Sequence, residues 1–574
     1  MKIPADAIER STLYQELVRQ CSATRQNRFN LYNTLRNYYM FGSQDNRGAP
    51  YNKIGSTIET LASFIYAPDS TKFSLKLGTL ATQDDVHKAV PLAQEVTEQW
   101  RLSKAHVLLD LGLRWAFAFG CMLMKVQWMK KHVRCYLVEP HQFGVLREDI
   151  IDLRDQEAFT HHYTITKSQL LSQLEGHPKK QEVEKKAGAG PGESSVPGSF
   201  GEGLNRLLVG GPVTGIAGSL ATGTGMISIE GGMGSAGRGP AYDWTPKIEV
   251  ELIDMCDLYV WDDDIEEYRL VTQCAPGVTI YDRAASDVAH VKGEPPFGVI
   301  RCGYNCYDYF WGESFVAKLA WLQDWRSRRI MEVNKILSRQ ADPPVFFSGM
   351  GGISEEKAAT FRAAGGLFST AVPNAKAEFL PPTLPPDLFV EINYIDKWFE
   401  DQAGLGHILQ GQGESGVRSR GQADLMARLG SSRPKDRATA VEESAEAIAR
   451  LILLSTQEHS EQRFQVAIDG KPLTFTAEEF TKDYEVKVDG HSSSPIFMED
   501  IKHTAITLFE ARAIDRATLL EMFDPPNLQE LKARLVKIEA QEAQQREMQA
   551  ESGDKPQHGN IARIGGAKHG GGKQ

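Results

Sequence analysis

The sequence predicts a helix-rich α+β protein built from several structural units. Long runs with apolar residues at helical spacing occur in both halves of the chain, and short alternating runs typical of strands lie between them. With 574 residues, of which 41% are hydrophobic, the chain is long enough to form more than one core. The mixture of helices and short strands in the first region indicates the α+β class.

The first 120 residues predict four helices. Residues 7–45 include "LYNTLRNYYMFG", whose glycine, Gly42, suits a helix end. Residues 52–68, "NKIGSTIETLASFIYAP", form an apolar helix. Its shared face consists of Ile54, Ile58, Leu61, Ala62 and Ile65. Two more helices are predicted over 86–103 and 104–120.

Strand-like segments follow. "CMLMKVQW" (121–128) and "VRCYLVEP" (133–140) alternate well enough to pair across a basic turn, and residues 247–264, "YRLVTQCA" and "FGVIRCGY" predict further strands. Residues 178–240 are rich in Gly, Ser and Pro and bury too little apolar surface to offset the entropy of ordering them. This insertion is therefore expected to be flexible and to loop out of the first α+β unit.

Two long helices flank a small α/β excursion. The first covers about 312–340 and carries net charge +3, from six Lys or Arg against three Asp or Glu. Residues 342–385 begin with "DPP", which ends that helix, and a second helix covers 387–409. Their apolar stripes include Phe315, Leu319 and Leu322 on the first helix and Leu388, Ile392, Ile395 and Phe399 on the second.

A loose Arg/Gly segment, "GQGESGVRSRGQADLMARLGSSRPKDRA" (411–438), precedes the next helix, which is predicted over 438–459. Its glycines permit a loop that changes conformation readily. Its cations are Arg418, Arg420, Arg428, Arg433, Lys435 and Arg437. From this segment alone two interpretations stay open: a loop that touches phosphates without reading bases, or a surface hinge whose arginines pair with nearby acids.

The last part of the chain predicts a hairpin with an Asp469-Gly470 turn, a strand in "YEVKVDGHSSSP", and helices over 498–548 that break at "DPPN". The composition from residue 551 onward predicts disorder. We expect no secretory disulfide framework, because the seven cysteines are odd in number and thinly spread and the start lacks an apolar signal core.

The sequence favours neither an enzyme nor a metal protein, and we expect no cofactor. The turn "WDDDIEE" (261–267) cannot point all its acids one way, and Cys302-x3-Cys306 has no partner pair at zinc spacing. The segment 105–126 contains Asp110, Arg114 and Lys125, which argue against a bilayer span. The net charge of −11 excludes a protein that coats nucleic acid over its whole surface but permits local basic patches.

The order of these parts resembles the portal, or head-to-tail connector, proteins of tailed bacteriophages, nearest to those of short-tailed phages. The matching stretches are "NRFNLYNTLRNYYMFG" with "NKIGSTIETLASFIYAP", "GLRWAFAFGCMLMKVQW", "YFWGESFVAKLAWLQDWRSRRIMEVNKIL", "RSRGQADLMARLGSSRPKDRA" and "YEVKVDGHSSSP". They are spread over about residues 10–500, and their order, rather than any single motif, carries the resemblance.

The resemblance implies a division of the chain. Residues 1–311 are the wing with its insertion at 178–240, 312–341 the first stem helix, 342–385 the clip and 386–409 the second stem helix. Residues 410–437 correspond to the tunnel loop and kink, with either Gly413–Gly421 or Gly430–Pro434 at the centre of the loop. Residues 438–497 are a long helix returning to wing strands, 498–550 the helical crown and 551–574 a disordered tail.

The resemblance also implies a function without catalysis. Such proteins form a ring, usually a dodecamer, around a channel for double-stranded DNA at one capsid vertex of the virion, and they are assembled in the host cytoplasm. Expected partners are the terminase large subunit, tail and adaptor proteins, and the major capsid and scaffolding proteins, with no membrane. The implied DNA-facing residues are the six cations of the Arg/Gly segment, and the implied subunit-interface residues are the seven apolar stem residues named above.

Two other classes remain as alternatives. A phage DNA-processing enzyme, a nuclease or packaging ATPase, would depend on the acids at 262–264. An ejection protein that interacts with membranes would act through residues 207–229, which carry no charge over 23 residues.

Overall fold

The structure, a computed structural model, describes residues 1–44, 51–77, 83–129, 132–187, 226–227, 250–274, 278–303, 310–341, 345–348, 376–379, 383–404, 432–460, 463–468, 471–476, 484–488, 495–523 and 528–551. It contains helices and several separate sheets, in agreement with the predicted α+β class. The chain divides into two compact units, Met1–Ile496 and Phe497–Gln574. Every described strand lies in the first unit.

The helices have these bounds: α1 (Ala7–Phe41), α2 (Lys53–Ile65), α3 (Gln83–Leu102), α4 (Ala105–Phe119), α5 (Lys167–Gln173), α6 (Lys180–Ala187), α7 (Phe315–Ala341), α8 (Asp387–Ala403), α9 (Ser432–His459), α10 (Pro495–Glu510), α11 (Arg516–Phe523) and α12 (Leu528–Glu551). The four helices predicted in the first 120 residues are confirmed. α9 begins at Ser432, six residues before the predicted start.

Capping residues define the ends of the first two helices. The Asp6 carboxylate accepts hydrogen bonds from the backbone N–H groups of Ile8 and Glu9, each at 3.2 Å, and α1 ends at Gly42 with φ of 67°. Asn52 caps α2 by accepting a hydrogen bond from the Gly55 N–H at 3.0 Å. These local signals explain why the sequence predicts both helices well.

Gly120 makes the connection from α4 to the next strand. Its φ is 98°, and a Cβ atom at this position would lie 2.5 Å from the carbonyl oxygen of Trp311. No other residue fits this backbone without moving its neighbours. Glycine at this position therefore allows the connection between α4 and β2 to pack closely against the backbone of Trp311, in the segment that leads into α7.

The strands are β1 (Phe73–Leu77), β2 (Cys121–Met129), β3 (His132–Val138), β4 (Phe143–Val145), β5 (Ala158–Thr166), β6 (Met226–Ile227), β7 (Val250–Asp262), β8 (Glu267–Cys274), β9 (Val278–Ala284), β10 (Phe297–Arg301), β11 (Val345–Ser348), β12 (Lys376–Phe379), β13 (Arg463–Ile468), β14 (Lys471–Thr476) and β15 (Tyr484–Val488). The pairing of β2 with β3 agrees with the prediction, whereas β1, β4, β5 and β9 are not among the predicted strands.

The larger sheet has the order β4-β5-β7-β8-β9, with β6 paired to β7, and a three-stranded sheet has the order β10-β2-β3. β5 and β7 are antiparallel, with Thr166 opposite Leu252 at the end of the ladder. The segment between them, which includes the predicted insertion, therefore leaves and re-enters the sheet at neighbouring points. Of residues 188–249 the structure describes only β6.

An aromatic core joins the two sheets. Phe159 stacks on Tyr259 with ring centroids 4.9 Å apart, and both are fully buried. Phe297, from the smaller sheet, meets the Phe159 ring edge-on at 5.8 Å. Such pairs add to the free energy gained by removing the rings from water. This core forms the body from which the next helices extend.

The helices α7 and α8 form an antiparallel hairpin. Arg326 of α7 pairs with Asp396 of α8, while Arg329, one turn further along α7, pairs with Glu391, more than one turn earlier on α8. The strands β11 and β12 pair antiparallel between the two helices in sequence, from Val345 opposite Phe379 to Ser348 opposite Lys376. Within this excursion, Ser354 followed by acids in the first turn predicts a short helix over 354–364, and that segment lies outside the described residues.

The later part of the first unit contains α9, the β13–β14 hairpin and the strand β15. β15 pairs with β1, so the end of this unit joins its beginning. Glu446 of α9 accepts hydrogen bonds from Lys487 Nζ at 3.1 Å and from the Val488 N–H at 3.0 Å, which fixes β15 on α9. In the second unit α11 packs against α12.

Candidate functional site

The body-side end of the α7–α8 hairpin is anchored by buried polar contacts. Gln323, which is fully buried, accepts a hydrogen bond from the Lys53 N–H at 3.1 Å and donates to the Tyr51 carbonyl at 2.8 Å. The Tyr38 hydroxyl donates to Asp324 at 2.6 Å. A buried amide with all these partners is stable only in one arrangement of the helices. The base of α7 is therefore fixed on α1 and α2.

Asp396 is the centre of an ion-pair cluster at the same level. Its carboxylate accepts from Lys53 Nζ at 2.9 Å and from Arg326 Nε at 2.8 Å, and Lys53 also lies 3.4 Å from Glu400. Burial acts to raise the pKa of Asp396, but the hydrogen bonds from Arg326 and Lys53 outweigh it and hold that pKa below its usual value. The cluster links α2, α7 and α8 through one carboxylate.

A second contact lies further along the hairpin. Glu391 accepts from the Trp325 indole N–H at 3.1 Å and from Arg329 Nε at 2.9 Å. Beyond it the helices leave the core, because no described side chain in 334–341 or 387–394 is buried. The hairpin thus has a body-side half that is anchored and a distal half that is open to solvent.

An aromatic row extends from the body-side half to the start of the distal half and consists of Trp321, Trp325, Trp398 and Tyr394, of which Trp325 is half-buried and the others are exposed. Ring centroids are 6.2 Å apart for Trp321 and Trp325, 5.6 Å for Trp325 and Trp398, and 6.4 Å for Tyr394 and Trp398. Trp321 is 52%, Trp398 46% and Tyr394 56% exposed. Large aromatic side chains in contact with each other and with water are typical of an interaction surface.

The predicted interface residues occupy different places. Five of the seven are buried within the chain itself, and Leu388 and Ile392 are half-buried. The five buried residues are Phe315, Leu319, Leu322, Ile395 and Phe399. As a correction, these five side chains form the core of the chain and are not available to a second copy. The regular apolar stripe of each helix is used inside the chain, as when Phe315 packs on Phe117.

The aromatic row was not identified from the sequence. The sequence places Trp325 in the apolar stripe of the first long helix, whereas Trp321, Tyr394 and Trp398 stand outside the stripes. Trp321 and Trp325, like Tyr394 and Trp398, are spaced at i, i+4. A pair of aromatic residues on the polar face of an amphipathic helix is the signal that indicates such a surface.

Three of the six predicted DNA-facing cations, Arg418, Arg420 and Arg428, lie outside the described residues. Arg433, Lys435 and Arg437 stand in the first two turns of α9 and not in a loop. Lys435 is half-buried in α9. The described part of the Arg/Gly segment, from Ser432 onward, is therefore helical.

Arg433 and Arg437 bind the end of α8. Arg433 Nη1 donates to the Asp401 carbonyl at 2.9 Å and Arg437 Nη1 to the Ala403 carbonyl at 3.2 Å, so both guanidinium groups serve the partial negative charge of a helix C-terminus. Arg437 also lies over the Phe315 ring at 4.7 Å. Burial lowers the pKa of Arg437. As a correction, Arg437 is a packing residue between α8 and α9 rather than a cation presented to DNA.

The acidic turn at 262–264 is occupied by ion pairs. Asp262, which is buried, lies 3.3 Å from Arg269 Nη1, and Asp263 lies 3.0 Å from the amino group of Met1. Among the described residues no group of three or more His, Cys, Asp and Glu side chains is placed to hold a metal ion. Asp262 and Asp263 are therefore structural partners of other charged groups, and the Asp264 side chain is exposed.

The described cysteines and the adjacent histidines His161 and His162 are also buried. The six described cysteines are free and buried, and burial raises the pKa of Cys302 to about 11, while Cys306 lies outside the described residues. Burial also lowers the pKa values of His161 and His162 far below the usual range. These groups are therefore neutral at pH 7.

The segment 105–126, examined as a possible membrane span, forms α4 and most of β2. Within the described part of the chain, no helix combines the length and the apolar character needed to cross a bilayer. Of residues 207–229 only β6 is described.

Comparison with models of known protein families gives no match, and comparison with curated proteins gives none either.

Proposed function

We propose that this protein is the portal protein of a tailed bacteriophage. It forms a ring at one vertex of the capsid, through which double-stranded DNA is packaged and later ejected. The single observation that carries this proposal is the α7–α8 hairpin, which is anchored at one end, open to solvent at the other, and lined near its base by the exposed aromatic row. Monomeric globular proteins rarely expose a contiguous aromatic surface of this kind.

The aromatic row is suited to contact a neighbouring copy. Trp321, Tyr394 and Trp398 are each about half exposed, so together they offer roughly 300 Å² of apolar surface if one aromatic side chain presents about 200 Å². A standard interface buries about 800 Å² on each partner. The row is thus large enough to form the centre of such an interface, with polar residues around it.

A ring requires that one face of each copy bind a different face of the next. In a heterologous contact of this kind the aromatic row meets another surface of its neighbour, and the contact repeats until the ring closes. The hairpin then lines the bore lengthwise, with the β11–β12 pair at its distal end. The proposal assigns this distal end to the clip, which binds the terminase large subunit during packaging and tail or adaptor proteins afterwards.

The charge of the chain is consistent with a channel that passes DNA without holding it. Each phosphate bound by a Lys or Arg releases counterions and adds affinity that translocation must then overcome. A net charge of −11 on each copy keeps the lining from binding the duplex strongly. In this proposal the major capsid and scaffolding proteins contact the outer, wing-side surface, and the site of function is the virion.

Negative-stain electron microscopy of the purified full-length chain, combined with mass photometry, tests the proposal. We expect closed rings with a central hole and one dominant subunit number. Monomers or open dimers alone, over a range of salt and protein concentrations that permits assembly, would overturn it. Magnesium-dependent DNA cleavage or nucleotide hydrolysis by the same preparation would instead support the alternative, a DNA-processing enzyme.

A further inference from the structure

The side of α7 that faces α2 continues beyond α2. Gln323, Ser327, Ile330 and Asn334 follow one another at steps of four, three and four residues, which place them in one column along the helix. At the body-side end of this column, Gln323 accepts a hydrogen bond from the Lys53 N–H at 3.1 Å and donates one to Ser327 Oγ at 3.2 Å. Further along, Ile330 is half-buried and Asn334 is exposed. The column therefore begins on α2 and ends in solvent.

α8 has a matching column on the same side of the hairpin. Phe389, Asn393, Asp396 and Glu400 stand at the same steps of four, three and four residues. Lys53 Nζ of α2 lies 2.9 Å from Asp396 and 3.4 Å from Glu400. Because α8 runs antiparallel to α7, the contact with α2 is again at the body-side end. Phe389 and Asn393 lie in the distal half, and both are exposed.

The distal part of this side is apolar and carries no charge. Met331, Leu337 and Phe389 are 52%, 45% and 49% exposed, and the neighbouring exposed residues Asn334 and Asn393 are uncharged. We call these five residues the α2-side face. Methionine and aromatic side chains are enriched at the centres of protein interfaces, and charged side chains are depleted there. The composition of the α2-side face therefore favours contact with another protein surface.

The α2-side face and the aromatic row lie on opposite sides of the hairpin. Nine residues separate Trp325 from Asn334 on α7, and nine separate Phe389 from Trp398 on α8. At 3.6 residues per turn, nine residues are two and a half turns. On each helix the two surfaces therefore point in opposite directions, and a copy that binds one of them leaves the other free.

We propose that the α2-side face of each copy receives the aromatic row of the next copy. This inference rests on the proposed function, and it names the surface that the aromatic row binds. Two different faces on opposite sides of one element allow a heterologous contact to repeat around a ring. Asn334 lies about 14 Å further along α7 than Trp325, so the contact joins different levels of neighbouring hairpins. A closed ring accommodates this offset when each hairpin is inclined to the ring axis.

The two surfaces are similar in size. Half-exposed Phe389, at about 200 Å² for an aromatic side chain, offers about 100 Å². Half-exposed Met331 and Leu337, at about 120 Å² each, offer about as much again. The α2-side face thus presents roughly 200 Å² of apolar surface to the roughly 300 Å² of the aromatic row. Together they form the apolar centre of one subunit contact, with polar residues around it.

The competing acceptor is the outer side of α4, where Val107 and Leu111 are 52% and 46% exposed. Asp110 and Arg114 stand beside them and form an ion pair at 3.1 Å, with both side chains 24% exposed. An aromatic row that covered Val107 and Leu111 would remove water from this ion pair, which costs free energy. The α2-side face has no charge to desolvate, so it is the more favourable acceptor.

Site-specific cross-linking tests the contact. The double variant Leu337→Cys/Tyr394→Cys carries one new cysteine on each surface, and its rings, checked by electron microscopy, are treated with a short bis-maleimide before denaturing gel electrophoresis. We expect a ladder of covalent dimers, trimers and larger species up to the full ring. Each single variant should remain monomeric on the gel, because identical residues do not meet in a heterologous contact. The wild-type chain controls for the native cysteines, of which the six described ones are buried.

The gel separates the contact from the ring. Rings of the double variant that give no ladder overturn the proposed contact and leave the ring standing, whereas a wild-type chain without rings overturns the proposed function itself. Val107→Cys/Tyr394→Cys is the comparison pair, and a ladder from this pair in place of the first shows that the row binds α4 and overturns the assignment. Covalent dimers from either single variant would show a two-fold contact and overturn it as well.

A second measurement uses assembly alone. Met331→Glu/Leu337→Glu places two charges on the α2-side face at exposed positions, so the chain should keep its melting temperature. We expect single chains by mass photometry at a protein concentration where the wild type forms rings. The matched control, Val107→Glu/Leu111→Glu, also charges two exposed apolar positions and should retain the rings. Wild-type assembly by Met331→Glu/Leu337→Glu overturns the proposed contact.

Discussion

Trp398 is expected to be the residue on which subunit contact depends most. Its ring joins the α7 and α8 parts of the aromatic row, 5.6 Å from Trp325, and 46% of the side chain is exposed. If a tryptophan presents about 250 Å², that fraction is about 115 Å², and at about 25 cal/mol per Å² its burial contributes about 3 kcal/mol to each subunit contact. Trp398→Ala should therefore weaken each contact about 150-fold.

Mass photometry across a dilution series measures this effect, because the variant should dissociate from rings into single chains at a concentration where the wild type remains assembled. Leu102→Ala is the matched control, since Leu102 is an exposed apolar residue of α3 outside the hairpin. Thermal unfolding of the dissociated chains separates a loss of contact from a loss of folding. Wild-type assembly by Trp398→Ala would contradict a role of Trp398 in subunit contact, and dissociation of Leu102→Ala as well would show that the loss is not specific to the hairpin.

Three further outcomes are expected. Asp396→Asn should cost about 1.5–3 kcal/mol of unfolding free energy at pH 7 by denaturant titration, because it removes two charged hydrogen bonds. Because the pKa of Asp396 is lowered in the folded chain, this stabilisation is fully present above the unfolded pKa of about 3.9 and is lost as the pH falls through the lower folded pKa. The unfolding free energies of wild type and variant should therefore converge in acid. A constant difference between them down to pH 2 would contradict this. Gly120→Ala should lower the unfolding free energy by about 2–5 kcal/mol, because it adds backbone strain and a close contact with a carbonyl oxygen. Gly176→Ala, at a position with φ of 83° and nothing within 4 Å of the added Cβ, should lower it by only about 1 kcal/mol in the same denaturant titration. Equal losses would show that the carbonyl contact at Gly120 relaxes. Arg418→Glu with Arg420→Glu should leave ring formation intact in electron micrographs and impair DNA retention in a packaging assay, while collapse of the rings would identify these arginines as interface residues.

Several elements follow from local sequence alone. Asp6, Gly42 and Asn52 mark helix ends through contacts within a few residues, so the first helices are predictable from their capping residues and apolar spacing. The paired strands β2 and β3 follow from alternation across a short turn. β5 was missed because all its first five residues are buried, including His161 and His162, so the sequence shows no polar alternation there.

Contacts between distant parts of the chain decided the rest. The apolar stripes of α7 and α8 were identifiable from their period, but a period does not say whether the partner is the same chain or another copy. Only the fold shows that Phe315 and Phe399 are buried internally while Trp398 stays exposed. The sequence likewise predicts that Arg437 is a loop cation, and only the fold shows that it donates a hydrogen bond to the end of α8. The sequence by itself therefore determined which segments are helices and strands, because those depend on neighbouring residues, and the tertiary structure decided which faces remain for binding, because burial depends on residues far apart in the chain.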